Sequence, residues 1–116
     1  MIGRLHGIVI DCPDPESLAT FYQDLLGMIR VQDSPIVIGD SADRPGLCFR
    51  QVDNYRPPTW PTGERPQFLH LDARVDDLAE ATLRAVQLGA TRLDGGGDNF
   101  TVLADPIGHP FCLVQF

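Results

Sequence analysis

The stretch DPESLATFYQDLLG, Asp14 to Gly27, decides the fold of this 116-residue chain, because it predicts a complete helix with both of its ends. Aspartate followed by proline is typical of an N-cap and the first helical position. Apolar side chains then recur at the spacing of one helix face, at Leu18, Phe21, Tyr22, Leu25 and Leu26. Gly27 supplies a left-handed residue that ends a helix, so we predict about three helical turns here.

The pattern around this helix recurs in the second half of the chain. Predicted strands of the first half are Leu5–Asp11, Met28–Val31, Ile36–Ile38 and Leu47–Val52. In the second half, a helix opened by Asp76 and Asp77 and closed by Gly89 follows a predicted strand. Predicted strands of that half are Phe68–Arg74, Asn99–Ala104 and Pro110–Phe116. The second half therefore repeats the order of the first, a strand, a helix and further strands, and we interpret both halves as βαβββ modules.

The segment 53–67 between the halves is rich in proline and carries Tyr55 and Trp60. Because proline has a fixed φ and no N–H, we predict a semi-rigid extended linker. The modules 1–52 and 68–116 then belong to a single domain, 1–116. We predict an α+β fold in which they form an eight-stranded, partly open barrel with a central cleft and helices outside.

Composition argues against several classes of protein. The formal net charge of -7 and the nine scattered Lys and Arg side chains argue against nucleic-acid binding. Since no apolar stretch approaches the roughly 18 to 20 residues that span a bilayer, and the N-terminus lacks a signal-like apolar run, we expect no membrane partner. Cys12, Cys48 and Cys112 are an odd number without CxxC spacing, which favours free thiols in a reducing cytoplasm.

Four motifs, in their order and spacing, resemble the vicinal oxygen chelate superfamily of glyoxalases, bleomycin-resistance proteins and dioxygenases. They are the helix Asp14–Gly27, HLDARVDDL (His70–Leu78), LGA (Leu88–Ala90) and ADPIGHPFCLVQF (Ala104–Phe116). The segment Phe49–Pro61 further resembles a glyoxalase-like subgroup. The resemblance implies homodimers and, in metal-using relatives, an ion held in the cleft by histidines and glutamates from the first and last strands of each module.

The resemblance also indicates which of those metal ligands this chain retains. Family enzymes place a histidine seven residues before the helix-opening aspartate, which corresponds to Gly7 and to His70. The C-terminal glutamate corresponds to Cys112. By strand alternation, Gln115, three residues after Cys112, faces the other way, and so does His6, next to Gly7, unless a bulge shifts the register. We therefore predict no metal cofactor, because a soft divalent ion held only by His70 and Cys112 would have too few ligands.

Alternation along the strand Phe68–Arg74 predicts its two faces. One face is expected to pack under the helix and carries Leu69, Leu71 and Ala73. The other is expected to line the cleft and carries His70, Asp72 and Arg74. In one interpretation Arg74 holds Asp72 ionised and Asp72 orients His70 as a base or ligand donor. In the other, the three side chains only satisfy one another or pair across a dimer interface.

Four further residues have alternative interpretations. Of Arg50 and Gln51, one is expected to point into the cleft, and the family pattern favours Gln51. Trp60 either fastens the linker to the domain or forms a pocket wall. His109 fits a turn better than a catalytic role, and for Cys112 a buried inert thiol is favoured over a covalent nucleophile.

The leading hypothesis is metal-free binding of a small molecule in the cleft, resembling the dimeric antibiotic-sequestering members of the superfamily. The candidate binding residues are His70, Asp72, Arg74, Gln51, Trp60 and Cys112, with His70 the best candidate for catalysis. The alternative is a lyase, isomerase or dioxygenase that uses a divalent metal or His70. A third is an interaction module with a cleft plugged by its own side chains.

Overall fold

Both aspartates predicted to open helices do so in the computed structural model, which describes the whole chain from Met1 to Phe116. Helix α1 spans Pro15–Leu26 and helix α2 spans Leu78–Leu88. The Asp14 carboxylate accepts a hydrogen bond from the Ser17 amide at 3.4 Å, and Asp77 does the same for Glu80 at 3.1 Å. These bonds satisfy amides that a helix leaves unpaired in its first turn. Neither helix is long and apolar enough to cross a lipid bilayer.

The chain divides into two compact units, unit one (Met1–Tyr55) and unit two (Arg56–Phe116). The strands of unit one are β1 (Gly7–Cys12), β2 (Ile29–Asp33), β3 (Ile36–Gly39) and β4 (Gly46–Gln51). They form one sheet in the order β1-β4-β3-β2. β1 is parallel to β4 and the other neighbours are antiparallel. A parallel pair needs a crossover connection, which here includes α1.

Unit two repeats this topology. Its strands are β5 (Leu71–Arg74), β6 (Thr91–Arg92), β7 (Phe100–Ala104) and β8 (Pro110–Val114), in the order β5-β8-β7-β6. The prediction of an α+β fold with two βαβββ modules and eight strands is confirmed, and the strands hydrogen-bond as two separate four-stranded sheets. β6 was not predicted, since two residues are too short to show an alternating pattern.

Each helix packs on one face of its own sheet and thereby fixes which strand residues face away from it. In unit one, the Tyr22 ring of α1 stacks on Phe49 of β4 with centroids 6.1 Å apart. In unit two, the buried hydroxyls of Thr82 on α2 and Thr101 on β7 lie 3.1 Å apart. Since side chains alternate along a strand, the neighbouring Val102 faces away from α2. It forms an apolar cluster there with Cys112 and Val114.

β5 begins at Leu71, not at the predicted Phe68. In the β5–β8 register the preceding pair would join His70 to Pro110, and proline has no N–H for the ladder. Phe68 is fully exposed and Leu69 is 58% exposed, so the prediction that Leu69 packs under the helix is wrong. Leu71 and Ala73 are half-buried and alternate with exposed residues, as predicted.

The proline-rich segment folds back on itself within unit two instead of running extended. The Thr59 amide donates to the Arg65 carbonyl at 2.7 Å, and the Arg65 amide donates to the Thr59 hydroxyl at 3.1 Å. Thr59 and Pro66 form an isolated bridge outside both sheets. These bonds close a loop, so the extended conformation predicted for the linker is wrong.

β1 and β4 approach most closely at two facing glycines. Gly7 pairs with Gly46, and a Cβ atom added to Gly7 would lie 2.6 Å from the Gly46 carbonyl oxygen. That distance is far inside van der Waals contact, and the obstructing atom belongs to the backbone. Position 7 therefore accommodates no side chain without movement of β1 or β4.

Replacing Gly7 by alanine is expected to destabilise the protein by about 1–3 kcal/mol, because overpacking forces the backbone to shift. Gly3→Ala is the matched control, since a Cβ atom there meets nothing within 4 Å. The control should change the free energy of unfolding by less than about 0.5 kcal/mol. Urea unfolding followed by circular dichroism measures both, and equal stabilities for the two variants would contradict the close approach.

Candidate functional site

The parallel pairing of β5 with β8 brings together three of the residues singled out in the sequence. Asp72 pairs with Cys112 in this register, on the sheet face that points away from α2. His70 lies two residues before Asp72, immediately ahead of β5. Its Nε2 atom is 3.1 Å from the Asp72 Oδ1 atom, and the two side chains are 39% and 55% exposed. The carboxylate therefore orients the imidazole while both groups remain accessible to solvent.

Cys112 completes a compact cluster with this pair. One donor atom from each of His70, Asp72 and Cys112, namely a ring nitrogen, a carboxylate oxygen and the sulfur, all lie within 4.8 Å of one another. The cysteine is only 8% exposed and packs with Val102 and Val114. The His70–Asp72–Cys112 cluster thus has one buried donor and two exposed donors.

The surroundings of Cys112 hold its sulfur in the neutral thiol form. Burial raises the pKa of Cys112, and the negative charge of Asp72 and a hydrogen bond with that carboxylate raise it further. A thiol is a weak nucleophile compared with a thiolate. This environment favours the inert thiol over the covalent nucleophile.

Arg74 has a different partner from the one expected. Its guanidinium carbon lies 5.7 Å from the centroid of the Phe116 ring, a cation–π contact, and it forms no ion pair with Asp72. The ion pair between Arg74 and Asp72 that one interpretation of the sequence required is therefore not formed. Phe116 follows the end of β8 and offers an aromatic face to the guanidinium.

Gln115 has a structural role that the sequence reasoning missed. Its side-chain oxygen accepts a hydrogen bond from the Leu78 amide, the first residue of α2, at 2.9 Å. Gln115 therefore faces the helix and not Cys112, which agrees with the predicted alternation. The available signal was that Gln115 lies two residues after Leu113 and so shares the strand face of a residue that is buried in the core.

Unit one places Arg50, and not Gln51, on the sheet face that points away from α1. Phe49 is 2% exposed and packs against α1, so the next side chain points the other way. Arg50 pairs there with Asp11, with its Nε atom 2.9 Å from Oδ1. The choice of Gln51 over Arg50 is therefore wrong in register. His6 precedes β1 and is exposed.

Trp60 contacts the face that carries the cluster. Its indole N–H donates to the Asp94 carbonyl at 3.1 Å, and its ring packs against the group that contains Cys112. It both fastens its loop to unit two and borders the cluster. His109 lies in the turn after Asp105, where its amide donates to that carboxylate at 2.9 Å.

The donor set does not match the histidine and glutamate ligands of metal-using relatives. Gly7 has no donor, and its contact with Gly46 leaves no room for one. Cys112 offers sulfur where those relatives offer carboxylate oxygen. What remains in unit two is an oriented imidazole, a carboxylate and a thiol beside an apolar surface.

Comparison with known proteins gives the family. Residues 7–114 match the family model of a glyoxalase-like domain. A search of curated protein sequences gives no significant match.

Solved structures with the same fold are only distantly related in sequence. A glyoxalase/bleomycin resistance protein/dioxygenase family enzyme from Burkholderia phytofirmans PsJN superimposes with a TM-score of 0.75 at 15% identity, over 97% of this chain and 98% of that one. The genomically encoded fosfomycin resistance protein FosX from Listeria monocytogenes gives 0.73 at 16% identity, over 100% and 95%. A glyoxalase-related enzyme from Fulvimarina pelagi gives 0.71 at 20% identity, over 99% and 89%.

These structural likenesses establish the fold, and the family-model match spans nearly the whole chain. The protein belongs to the glyoxalase-like domain family, within the vicinal oxygen chelate superfamily.

Proposed function

We propose that this protein, as a single domain, binds a small molecule without the aid of a metal, on the face of unit two that carries the His70–Asp72–Cys112 cluster. The observation that carries the proposal is the His70–Asp72 contact at 3.1 Å between two solvent-accessible side chains. Apolar surface from Trp60 and Val102 lies beside it. A few oriented polar groups next to apolar and aromatic surface are typical of ligand sites.

The contact with Asp72 determines which ring nitrogen of His70 remains available to a ligand. A neutral imidazole whose Nε2–H donates to the carboxylate has Nδ1 as an acceptor. That nitrogen suits a ligand hydroxyl, amide or ammonium group. Arg74 and Trp60 are proposed as further ligand contacts because each borders the same face, whereas Gln51 is not retained, since its register places it on the α1 side of its own sheet.

The residues at two ligand positions support metal-independent binding. Gly7 and Cys112 replace ligands of the metal-using relatives, and the backbone around Gly7 blocks a compensating side chain. Small-molecule binding as such is supported by a structural relative that is named a fosfomycin resistance protein. None of the three cysteines forms a disulfide, which fits a reducing compartment, so we place the protein in the cytoplasm.

An enzymatic role is the alternative, and the same pair of residues supports it. A carboxylate that orients an imidazole is the arrangement of a general base. His70 would then remove a proton from a bound substrate in a lyase, isomerase or dioxygenase reaction. The two functions differ in what His70 contributes, since a binding protein loses affinity without it and an enzyme loses turnover.

His70→Ala is expected to weaken ligand binding about tenfold, because one hydrogen bond contributes up to about 1.5 kcal/mol. A thermal-shift screen of a small-molecule library on chelator-treated protein identifies the probe, and isothermal titration calorimetry measures its affinity. His6→Ala is the matched control, since this exposed histidine lies in unit one, and it should bind like wild type. Loss of catalysed conversion of the probe in His70→Ala would favour the enzyme instead.

Two results would contradict the proposal. One is a library without any compound that stabilises the chelator-treated protein. The other is an affinity for the identified probe that is equal in His70→Ala and wild type. His70 is partly exposed, so a misfolded variant is not expected, and an unchanged melting temperature checks this.

We expect the protein to be a homodimer in solution. β5 is an outer strand of its sheet, with an open hydrogen-bonding edge, and the exposed Phe68 and Leu69 precede it. Sedimentation equilibrium at micromolar concentration should give the dimer mass, and Leu69→Asp should shift it toward monomer. Leu83→Asp, at a leucine of α2 that is also more than half exposed, is the control and should stay dimeric. A wild-type protein that sediments only as monomer would refute the dimer.

A further inference from the structure

Unit two contains a solvent-open cavity on the opposite side of its sheet from the face proposed above for ligand binding. The cavity has a volume of about 560 Å³ and lies between α2, β6 and the loop before β7. Thr82 of α2 and Thr101 of β7, whose hydroxyls meet on the helix side of the sheet, both line it. Its volume is typical of small-molecule sites. No residue of the His70–Asp72–Cys112 cluster borders it.

The polar groups on the floor of the cavity already bond to one another. Thr82 donates its hydroxyl to the Leu78 carbonyl at 2.7 Å, and its oxygen lies 3.1 Å from the Thr101 hydroxyl. The side-chain oxygen of Gln115 accepts a hydrogen bond from the Leu78 amide at 2.9 Å. Polar recognition of a ligand therefore depends on the charged groups at the rim.

Charged side chains of both signs lie at this rim. Arg92 of β6 and Asp98 of the loop before β7 both line the cavity, and neither forms an ion pair on the protein. Asp77 also lines it and uses its Oδ1 atom as the N-cap acceptor for the Glu80 amide, at 3.1 Å. The cavity thus holds a guanidinium and carboxylates apart from one another, with open space between them.

The glycine-rich segment 95–97 places Asp98 at the rim. The Gly97 amide donates to the Phe100 carbonyl at 3.0 Å, which closes a tight connection with Asp98 inside it. A Cβ atom added to Gly97 would lie 2.9 Å from the Phe100 ring, so residue 97 packs directly against that ring. These backbone contacts present the Asp98 carboxylate beside the cavity.

We propose that this cavity binds a zwitterionic α-amino acid with an apolar side chain. The planar Arg92 guanidinium matches a carboxylate, to which it can donate two parallel hydrogen bonds. The Asp98 carboxylate is the counterpart for the ammonium group. Leu78, Ala79 and Leu83 offer apolar surface to the ligand side chain. The inference goes beyond the proposed function and does not depend on it, because the two sites share no residue.

The balance of charge at the rim favours a zwitterion over a ligand with a single charge. The rim carries two carboxylates, of Asp77 and Asp98, and one guanidinium, of Arg92. A simple anion would meet a net negative rim, and a simple cation would leave the guanidinium without a partner. Because these side chains are exposed, solvent screens each contact, and we expect an affinity in the millimolar range.

Titration of the full-length, isotope-labelled protein with L-leucine, followed by NMR, tests the site. Millimolar L-leucine should shift the backbone amide signals of Leu83, Gly97 and Thr101 and leave those of His70 and Asp72 unchanged. Two analogues each lack one of the charges, since isocaproate has no ammonium group and isoamylamine has no carboxylate. Each should bind about fivefold or more weakly than L-leucine.

Variants at the rim test the assigned contacts. Arg92→Gln and Asp98→Asn should each weaken L-leucine binding by about fivefold or more, because each removes one charged contact. Arg84→Gln and Asp94→Asn are the matched controls and should bind like wild type, since these exposed residues carry the same charges but do not line the cavity. All four positions are exposed, so the variants are expected to fold.

The proposal is overturned if millimolar L-leucine causes no shift, if the shifts map to the His70–Asp72–Cys112 cluster, or if either analogue binds as tightly as L-leucine. Equal affinities in Arg92→Gln and its control also overturn it. His70→Ala removes the residue on which the proposed ligand site depends and leaves the cavity unchanged, so it should bind L-leucine as wild type does. Failure of the cavity site and failure of the proposed ligand site are therefore separate results.

Discussion

The register of β5 against β8 is the constraint on which the chemistry of unit two depends. It places Asp72 opposite Cys112, because Leu71 and Ala73 pair with Phe111 and Leu113, which are buried in the core. A slip of one residue would reverse the faces of β5 and direct a carboxylate toward the helix side of the sheet. The cost of burying that charge keeps the register in place. The burial of Phe111 and Leu113 and the cost of burying the Asp72 charge therefore position the cluster together.

The two units show how one topology supports different surfaces. In unit one the parallel strands meet at Gly7 and Gly46, so close that neither carries a side chain. In unit two the position that matches Gly7 lies just before the strand and carries His70. The strand ladder ends there beside Pro110, which leaves the imidazole at an accessible strand end. The two units thus share a topology, but only unit two carries the imidazole and the carboxylate beside its cysteine.

The parts of the fold that could be predicted from the sequence are those encoded locally. Asp14, Asp77 and the glycines that end both helices mark the helix boundaries by their own backbone and capping preferences. Alternation assigned Asp72 to the face of its strand that was expected to line the cleft, and Gln115 to the face opposite that of Cys112. Contacts between distant segments were not encoded in this way. The placement of Arg74 over Phe116 and of Cys112 beside Asp72 depends on how separate strands pair, which no local pattern specifies.

The environment of Cys112 limits the charge of the proposed binding face. In the metal-free protein, burial and the neighbouring Asp72 carboxylate raise the pKa of the thiol, so the sulfur stays neutral and no second negative charge forms beside the carboxylate. Asp72 in turn lies within hydrogen-bonding distance of His70, which can donate a hydrogen bond to the carboxylate. The buried sulfur therefore leaves the hydrogen bonding of this face to the exposed side chains of His70 and Asp72.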